Sequence, residues 1–201
     1  GKTIVAGLLI RELLIMEPTA RVLIISPPSA RIQWGQEMEQ KFALTFADYG
    51  VEGDLQNQLV LASMDTLRSE QRFTKIKEQN LKWDLVIVDE LHRATPGNKR
   101  YQMLEWVRDN TRHMIALTAT PHDGKEDHFI GRLTLINAST NRSNYRQFLE
   151  SRMFRRLKVD ARDSEGNLLF PYRVFPDTVE VPISEKERVF YDKVEDYVRS
   201  Q

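Results

Sequence analysis

Apolar runs of four or five residues recur along the chain, and segments with helical spacing separate them. Three of these runs, Val22–Ser26, Leu59–Ala62 and Leu85–Val88, are rich in branched aliphatic residues. Uninterrupted runs of this length are typical of strands buried on both faces, as in a parallel sheet. Leu44–Tyr49 and His113–Leu117 are predicted as two further strands. Strands and helices that alternate in this way predict an α/β protein, whose mostly parallel sheet has helices on both faces.

The segments between the strands carry helical patterns. Thr3–Met16 is apolar on most faces, and we expect it to pack against the sheet. In a second helix, which we expect Ser29 to cap, Trp34, Met38 and Phe42 share one face at four-residue spacing. Trp34 is therefore interpreted as a core residue and not as a platform for base stacking. The other predicted helices are Met64–Leu67, Phe73–Gln79, Tyr101–Asp109, Glu126–Ile136 and Tyr145–Arg152.

The pattern changes after about residue 125, where predicted strands become scarce. Residues 163–176 are rich in turn-forming residues. Ser184 and Glu187 have the spacing of a capping box and open a further helix, whose apolar stripe runs towards Tyr197. We expect this last helix to belong to a domain that continues past Gln201.

The composition restricts the classes of partner. Acidic and basic side chains balance at 29 each, so any contact with nucleic acid must come from a local patch or from backbone amides. The chain has no cysteine, which excludes disulfides and thiolate metal sites and fits a reducing cytoplasm. Arg11 and Glu12 interrupt the opening apolar run, so that no segment reaches transmembrane length. The sequence therefore predicts a cytoplasmic protein without a membrane partner.

Two adjacent carboxylates and a distant tripeptide carry the candidate chemistry. Asp89 and Glu90 follow the Leu85–Val88 run directly, at the strand end where open α/β sheets place their ligands. Gly1, Lys2 and Thr3 open the first helix and match the second half of a phosphate-binding loop (P-loop). Gly-Lys-Thr is a common tripeptide, and adjacent acids are usually a solvated cap or turn. Together, however, they predict a site for a nucleoside triphosphate.

The residue types indicate a role for each group. Lys2 would reach the outer phosphates, and Thr3 and Asp89 would hold Mg²⁺. Glu90 would orient the attacking water, which makes Glu90, Asp89 and Lys2 the predicted catalytic residues. His92 taken singly is more often a structural or exposed histidine. Beside Glu90 it could instead hydrogen-bond to Thr118-Ala119-Thr120 and report the nucleotide state to the rest of the lobe.

The first residue of the chain lies inside the candidate site. A phosphate-binding loop needs a preceding strand and an earlier glycine, and neither stands before Gly1. We therefore expect the chain to be a fragment whose first residue falls within its own nucleotide site.

The motifs in their order resemble the first motor lobe of superfamily-two helicases, and most closely the Swi/Snf-type ATPases. Each motif separately is weak, but the ordered series is specific and spans nearly the whole chain. An arginine-rich stretch at Met153–Lys158 adds to the resemblance. The Thr-Ala-Thr-Pro form is similar to bacterial and archaeal members, such as RapA-type ATPases and phage-defence motors. The motifs are Gly1-Lys2-Thr3, Ser26-Pro27-Pro28, Gln33-Trp34 with Glu37, Ala62–Leu67, Asp89-Glu90-Leu91-His92 and Thr118-Ala119-Thr120-Pro121.

The resemblance also implies a nucleic-acid path. Residues at the positions of Ser26, Pro27, Ser63, Asp65 and Thr66 contact the phosphate backbone of the tracked strand in that family. They do so through hydroxyls and backbone amides, which position the strand without reading its sequence. The alternative interpretation is that Ser26 and Ser63 simply end their strands.

The resemblance implies a RecA-like P-loop NTPase lobe at 1–138, a helical extension and linker at 139–177, and the start of a second motor lobe at 178–201. The expected activity is that of a DNA-dependent ATPase that uses ATP and Mg²⁺ to move along double-stranded DNA. Its expected partners are the second lobe of the same chain and proteins of a defence or transcription complex. The alternatives are a strand-separating helicase, a restriction-type motor subunit and a catalytically silent interaction scaffold. Because the second lobe supplies the arginine finger in this family, we expect the isolated 201-residue chain to be inactive.

Overall fold

The computed structural model describes residues 1–50, 55–155, 160–170 and 184–199. The chain divides into two units, Gly1–Met153 and Phe154–Gln201, which are described separately. The three predicted segments, 1–138, 139–177 and 178–201, stay predictions. Part of the predicted linker and of the arginine-rich stretch lies outside the described residues.

The first unit contains a five-stranded sheet in which every neighbouring pair of strands is parallel. The strand order is β2-β3-β1-β4-β5, so that β1 and β4 lie inside the sheet and β2 and β5 form its edges. The predicted parallel sheet is therefore confirmed. The strands are β1 Val22–Ser26, β2 Ala47–Tyr49, β3 Leu59–Ser63, β4 Trp83–Asp89 and β5 Thr111–Leu117.

Helices alternate with most of the strands, as the sequence pattern predicts, although β2 leads to β3 without a helix among the described residues. The first seven belong to the first unit and the eighth to the second. They are α1 Lys2–Met16, α2 Arg31–Phe42, α3 Met64–Leu67, α4 Glu70–Glu78, α5 Lys99–Asp109, α6 Glu126–Ile136, α7 Tyr145–Arg152 and α8 Glu185–Arg199.

The sheet has an apolar cluster on each face, because the side chains of a strand alternate between its two sides. In β1, Leu23 and Ile25 belong to the cluster that includes Leu104 of α5. Val22 and Ile24, one position away, belong to the opposite cluster with residues of α1 and α2. Each of these side chains contributes roughly 1.5–3 kcal/mol by its burial. The layered core therefore holds the carboxyl ends of the strands in a fixed arrangement.

The helix α1 packs through one face only. Its residues Ala6, Gly7 and Ile10 are buried, and a Cβ added at Gly7 would come within 2.2 Å of the Phe42 ring of α2. Glycine at this position therefore permits the close approach of the two helices. The opposite face of α1 leaves apolar side chains such as Leu8 exposed. Among the described residues, no helix has the length and apolar character needed to cross a membrane.

The prediction that Ser29 caps α2 is wrong. A short 3-10 turn at Pro28–Ala30 precedes α2. The N-cap residue of α2 is Ala30, which makes no side-chain hydrogen bond. Pro28 fixes its own backbone φ at a helical value and so starts the turn one residue before Ser29. Ser29 is consequently inside the turn and not at the cap position. The predicted core face of α2 is confirmed, since Trp34 and Met38 are buried.

The second unit contains α8, which begins as the capping box predicts. The Ser184 backbone amide donates to Oε2 of Glu187 at 2.7 Å, and Oγ of Ser184 accepts from the Glu187 amide at 3.4 Å. These reciprocal bonds satisfy donors that the first turn of a helix leaves unpaired. Within the described part of this unit, α8 exposes the apolar side chains of Val189, Phe190 and Val194.

Candidate active site

The predicted site residues lie where parallel strands end together. Because β1, β3, β4 and β5 run in the same direction, their carboxyl ends meet at one edge of the sheet. Ser26 ends β1, Ser63 ends β3, Asp89 ends β4, and Thr118 directly follows β5. Lys2, at the start of α1, reaches the same edge.

Lys2 forms an ion pair with both predicted carboxylates. Its Nζ atom lies 2.6 Å from Oε1 of Glu90 and 3.0 Å from Oδ1 of Asp89. Burial by itself would lower the pKa of Lys2, but the hydrogen bonds with Glu90 and then Asp89 outweigh it and raise this pKa. The ammonium is therefore charged at neutral pH. Folding brings together two groups that are 88 positions apart in the sequence.

The backbone of Glu90 is held in the left-handed region, with φ 52° and ψ 48°. This conformation is uncommon for a residue other than glycine and persists only where the surrounding structure enforces it. Here the Glu90 amide donates to Oδ1 of Asp89 at 3.0 Å. Oε2 of Glu90 is buried and accepts no hydrogen bond from the described residues, although Nδ1 of His92 lies 3.1 Å away. His92 is therefore the nearby group that faces this oxygen.

His92 and the segment after β5 are in contact. Nδ1 of His92 lies 3.0 Å from Oγ1 of Thr118, and the Thr120 amide donates to the same hydroxyl at 3.2 Å. Ala119 lies between these two threonines. The contact that the sequence suggested for His92 is therefore present, and it links the ends of β4 and β5.

Trp34 contacts the site in a way that the sequence did not indicate. Its Nε1 donates a buried hydrogen bond of 2.9 Å to Oδ2 of Asp89. Trp34 remains a core residue, as predicted, because its side chain packs with α1 and the sheet. From the sequence one could expect that a buried indole N–H has a hydrogen-bond acceptor. The sequence does not indicate which residue provides that acceptor.

Gly1 and Thr3 lie at the first turn of α1, where the backbone amides carry partial positive charge. The Gly1 carbonyl accepts the Val5 amide at 3.3 Å. The Thr3 hydroxyl contributes, after Lys41 and Gln33, to lowering the pKa of Glu37.

The predicted ligands are of the kind that Mg²⁺ prefers, since the Thr3 hydroxyl and the Asp89 carboxylate both offer oxygen. No cluster of three or more histidine, cysteine, aspartate or glutamate ligands exists among the described residues. Mg²⁺ does not need such a cluster, since it is usually bound through one or two protein oxygens together with waters and substrate phosphates.

The predicted nucleic-acid residues hold one another at the ends of β1 and β3. Ser26 and Ser63 are partners in the register of these strands, and both are buried. Oγ of Ser26 donates to the Pro27 carbonyl at 3.2 Å. Oγ of Ser63 accepts the Thr66 amide at 2.9 Å and lies 2.7 Å from Oγ1 of Thr66, so that Ser63 caps α3. Their hydroxyls therefore have partners within the chain.

Comparison with known proteins identifies the family of this chain. A profile of the protein family described as "Type III restriction enzyme, res subunit" matches residues 1–123. The chain belongs to this helicase-like family.

Curated relatives specify the branch of the family. The RNA polymerase-associated protein RapA of Vibrio cholerae is 36% identical over 69% of this chain and 16% of its own length. RapA of Vibrio vulnificus (strain YJ016) is 34% identical over 75% of this chain and 17% of its own length. The chain thus spans about a sixth of the length of these relatives.

Solved structures agree with the fold. The Sulfolobus solfataricus SWI2/SNF2 ATPase core, solved in complex with double-stranded DNA, is similar with a TM-score of 0.59 and 25% identity, covering 69% of this chain and 30% of that one. The Pyrococcus furiosus Hef helicase domain has a TM-score of 0.54 at 17% identity, over 68% of this chain and 31% of its own, and shows the fold alone. The chain is a first RecA-like lobe of the superfamily-two, Swi/Snf type.

In this Swi/Snf-type lobe, Asp65 holds two arginines. Its Oδ1 accepts from Nη2 of Arg100 at 2.8 Å and from Nε of Arg68 at 2.7 Å. These guanidinium groups, first Arg100 and then Arg68, lower the pKa of Asp65. Both arginines, with Asn98 and Lys99, line an open cavity of about 250 Å³. Arg100 was not predicted from the sequence, because it lies 35 positions from Asp65 and follows no recognisable motif.

Arg132 was also missed. This arginine of α6 is buried, and it donates to the carbonyls of Ala94 and Pro121 at 3.3 Å each. Its Nη2 donates to Oδ2 of Asp123 at 2.7 Å. Arg132, and next His128, lower the pKa of Asp123. One buried cation therefore joins the segment after Glu90 to the segment that follows Thr118-Ala119-Thr120.

Proposed function

We propose that this lobe is part of a DNA-dependent ATPase that couples ATP hydrolysis to movement along double-stranded DNA. The observation that carries the proposal is the position of Lys2, whose ammonium lies between Asp89 and Glu90. A lysine at a helix N-terminus facing two carboxylates at the carboxyl edge of a parallel sheet has the elements of a nucleoside triphosphate site.

The relatives support both the proposed use of ATP and the proposed contact with DNA. A SWI2/SNF2 ATPase core from Sulfolobus solfataricus was solved with double-stranded DNA, and RapA proteins are RNA polymerase-associated. Neither match favours the alternatives of a strand-separating helicase, a restriction-type motor subunit or a silent scaffold.

In the proposed mechanism, Lys2 leaves the two carboxylates and binds the outer phosphates of ATP, where its charge is compensated by the ligand. The amides of the first turn of α1, beginning at Gly1, face the same phosphates. Thr3 and Asp89 would hold Mg²⁺, which neutralises the charge that develops on the phosphate oxygens.

Glu90 orients the attacking water and accepts its proton. Its carboxylate, which lies beside Lys2 and Asp89, would be the acceptor for the proton of this water. The enforced left-handed backbone of Glu90 keeps the carboxylate in place beside Asp89. General-base catalysis of this kind contributes about 10²–10⁴-fold to the rate.

His92 communicates the state of the nucleotide. Its imidazole faces Oε2 of Glu90 and Oγ1 of Thr118 at nearly equal distances, 3.1 and 3.0 Å. A change at Glu90 therefore alters the hydrogen bond that holds Thr118, and with it the Thr118-Ala119-Thr120 segment.

DNA contacts the opposite part of the same sheet edge. The segments around Ser26, Pro27, Ser63 and Thr66 would position the phosphate backbone through backbone amides, without reading the bases, because the Ser26 and Ser63 hydroxyls are buried and have partners within the chain. Asp65 would itself repel phosphate, so its role is to hold Arg68 and Arg100 towards the strand.

The proposed partners of the lobe are double-stranded DNA, a second RecA-like lobe of the same polypeptide and proteins of a defence or transcription complex in the cytoplasm. The helix α8 stands at the start of the proposed second lobe, within 178–201.

Replacing Glu90 by Gln in the intact protein tests the proposal. The amide keeps an acceptor for Lys2 but cannot take a proton, so we expect ATP to bind normally and steady-state hydrolysis to fall by about 10²–10⁴-fold. The matched control is Glu12→Gln on the exposed face of α1. Hydrolysis of the Glu90 variant at the rate of this control would remove Glu90 from its assigned role.

The mode of movement has its own measurement. A translocase displaces the third strand of a DNA triplex but leaves a forked duplex paired, whereas a strand-separating helicase opens the fork. We expect triplex displacement alone.

A further inference from the structure

The indole of Trp34 approaches the predicted metal-binding carboxylate from inside the core. The Trp34 side chain is 4% exposed, and its Nε1–H lies 2.9 Å from Oδ2 of Asp89. The residue enters from α2, a different element from the one that carries Asp89. This is the contact between the apolar core and the site that the proposed mechanism does not use.

The two oxygens of Asp89 have different partners. Oδ2 accepts the indole N–H, whereas Oδ1 accepts both the Lys2 ammonium and the Glu90 amide at 3.0 Å. When Lys2 moves to the phosphates, Oδ1 loses a cation and Oδ2 keeps its donor. Oδ1 is therefore the oxygen that becomes available to a metal ion.

A carboxylate without such a donor would not hold this orientation. The terminal torsion of aspartate is broad and roughly two-fold, so either oxygen can face the metal position. The indole is rigid and offers one donor and no acceptor, and its position is fixed by packing against α1 and the sheet.

We propose that Trp34 is a positioning residue that holds Asp89 with Oδ1, and not Oδ2, towards the Mg²⁺ ion. The inference rests on the proposed function, since it concerns the metal of the same nucleotide site. Donors that orient a metal-binding carboxylate from behind typically contribute 10–100-fold to metal affinity or activity.

The alternative is that Trp34 acts only by filling space in the core. The chain contains a matched case, because Trp83 at the start of β4 is buried to the same degree, at 2% exposure. Its ring packs edge-on against Trp106, but its Nε1 makes no hydrogen bond with the described residues. Removing the indole from Trp83 therefore changes packing alone, whereas removing it from Trp34 changes packing and a hydrogen bond.

The experiment compares Trp34→Phe with Trp83→Phe in the intact protein. At saturating ATP, we expect the Mg²⁺ concentration for half-maximal hydrolysis to rise 10–100-fold in Trp34→Phe and to stay within about two-fold in Trp83→Phe. Excess Mg²⁺ should restore part of the lost rate. A role in packing would instead lower the rate equally at every Mg²⁺ concentration, and that result, or equal Mg²⁺ dependence in both variants, would overturn the inference.

A second measurement does not depend on hydrolysis or on the folding of a variant. The indole N–H resonance of Trp34 should exchange slowly with solvent and shift when Mg²⁺ and a non-hydrolysable ATP analogue bind, while that of Trp83 stays unchanged. A third test returns to the hydrolysis experiment: benzothienylalanine at position 34 keeps the ring shape and removes only the N–H, so it should reproduce the Mg²⁺ dependence of Trp34→Phe. Failure of the unmodified protein to bind ATP with Mg²⁺ would overturn the proposed function, and this inference with it; binding without a difference between the variants would overturn the inference alone.

Discussion

Nδ1 of His92 lies 3.0 Å from Oγ1 of Thr118, and this contact joins the segment after β4 to the segment after β5. The same nitrogen lies 3.1 Å from Oε2 of Glu90. One imidazole nitrogen therefore faces both a predicted catalytic carboxylate and a hydroxyl in the segment after β5. In the neutral form a ring nitrogen either donates or accepts, so the tautomer of His92 decides which role Nδ1 has towards these two neighbours.

Replacing Thr118 by Val should weaken the coupling between nucleotide and DNA. The change removes the hydroxyl that His92 and the Thr120 amide contact, and keeps the shape of the side chain. We expect the ratio of DNA-stimulated to basal ATPase rate to fall about ten-fold, within the usual range of coupling free energies.

The control is Thr111→Val at the opposite end of β5, where the hydroxyl donates to the Val107 carbonyl at 2.6 Å. It removes a hydroxyl of the same strand far from the site. Equal ratios in the two variants would show that Thr118 has no part in coupling.

Arg132 should stabilise the lobe through its buried guanidinium. Replacing it by Met keeps an apolar side chain of similar length but leaves the carbonyls of Ala94 and Pro121 and the carboxylate of Asp123 without their donor. Hydrogen bonds to charged groups contribute about 1.5–3 kcal/mol, and we expect a loss of about 2 kcal/mol in the free energy of unfolding, because Asp123 is partly exposed.

Urea unfolding of the intact protein measures this loss. The comparison is Arg142→Met, which breaks the exposed pair with Asp127 and should leave the free energy of unfolding almost unchanged. Similar losses in both variants would mean that the burial of Arg132 adds nothing.

The contribution of Asp65 to stability should depend on pH. Arg100 and Arg68 lower its pKa from the ordinary value of 3.8, so the folded state binds a proton less readily than the unfolded state. Its stabilisation is therefore fully present above pH 3.8 and is lost as the pH falls through the lower pKa of the folded state. Asp65→Asn should cost about 0.5–1 kcal/mol at pH 7 and progressively less below pH 3.8.

The measurement is the unfolding midpoint of both proteins at pH 7 and at pH 3. Because the groups are partly exposed, high salt should also reduce the difference at pH 7. A difference that is the same at both pH values would exclude the ion pairs as its source.

Much of the fold was accessible from the sequence, because local patterns report local structure. Unbroken apolar runs such as Leu85–Val88 are typical of strands buried on both faces, and their alternation with helical segments predicts the parallel sheet. The core face of α2 was likewise readable from the spacing of Trp34 and Met38. The prediction of a helix cap at Ser29 was wrong, because the prolines before it start a turn. A search for capping residues alone does not detect such a turn.

The amino-acid sequence by itself determined which residues lie at the carboxyl edge of the sheet, because the end of each apolar run marks the end of a strand. That is why Asp89, Glu90 and His92 could be predicted, whereas Lys2 was predicted from the Gly-Lys-Thr motif that opens α1. Only the tertiary structure decided which side chains support them. Trp34 reaches Asp89 across 55 positions, and hydrogen-bond geometry over such a distance depends on how layers pack and not on any local pattern.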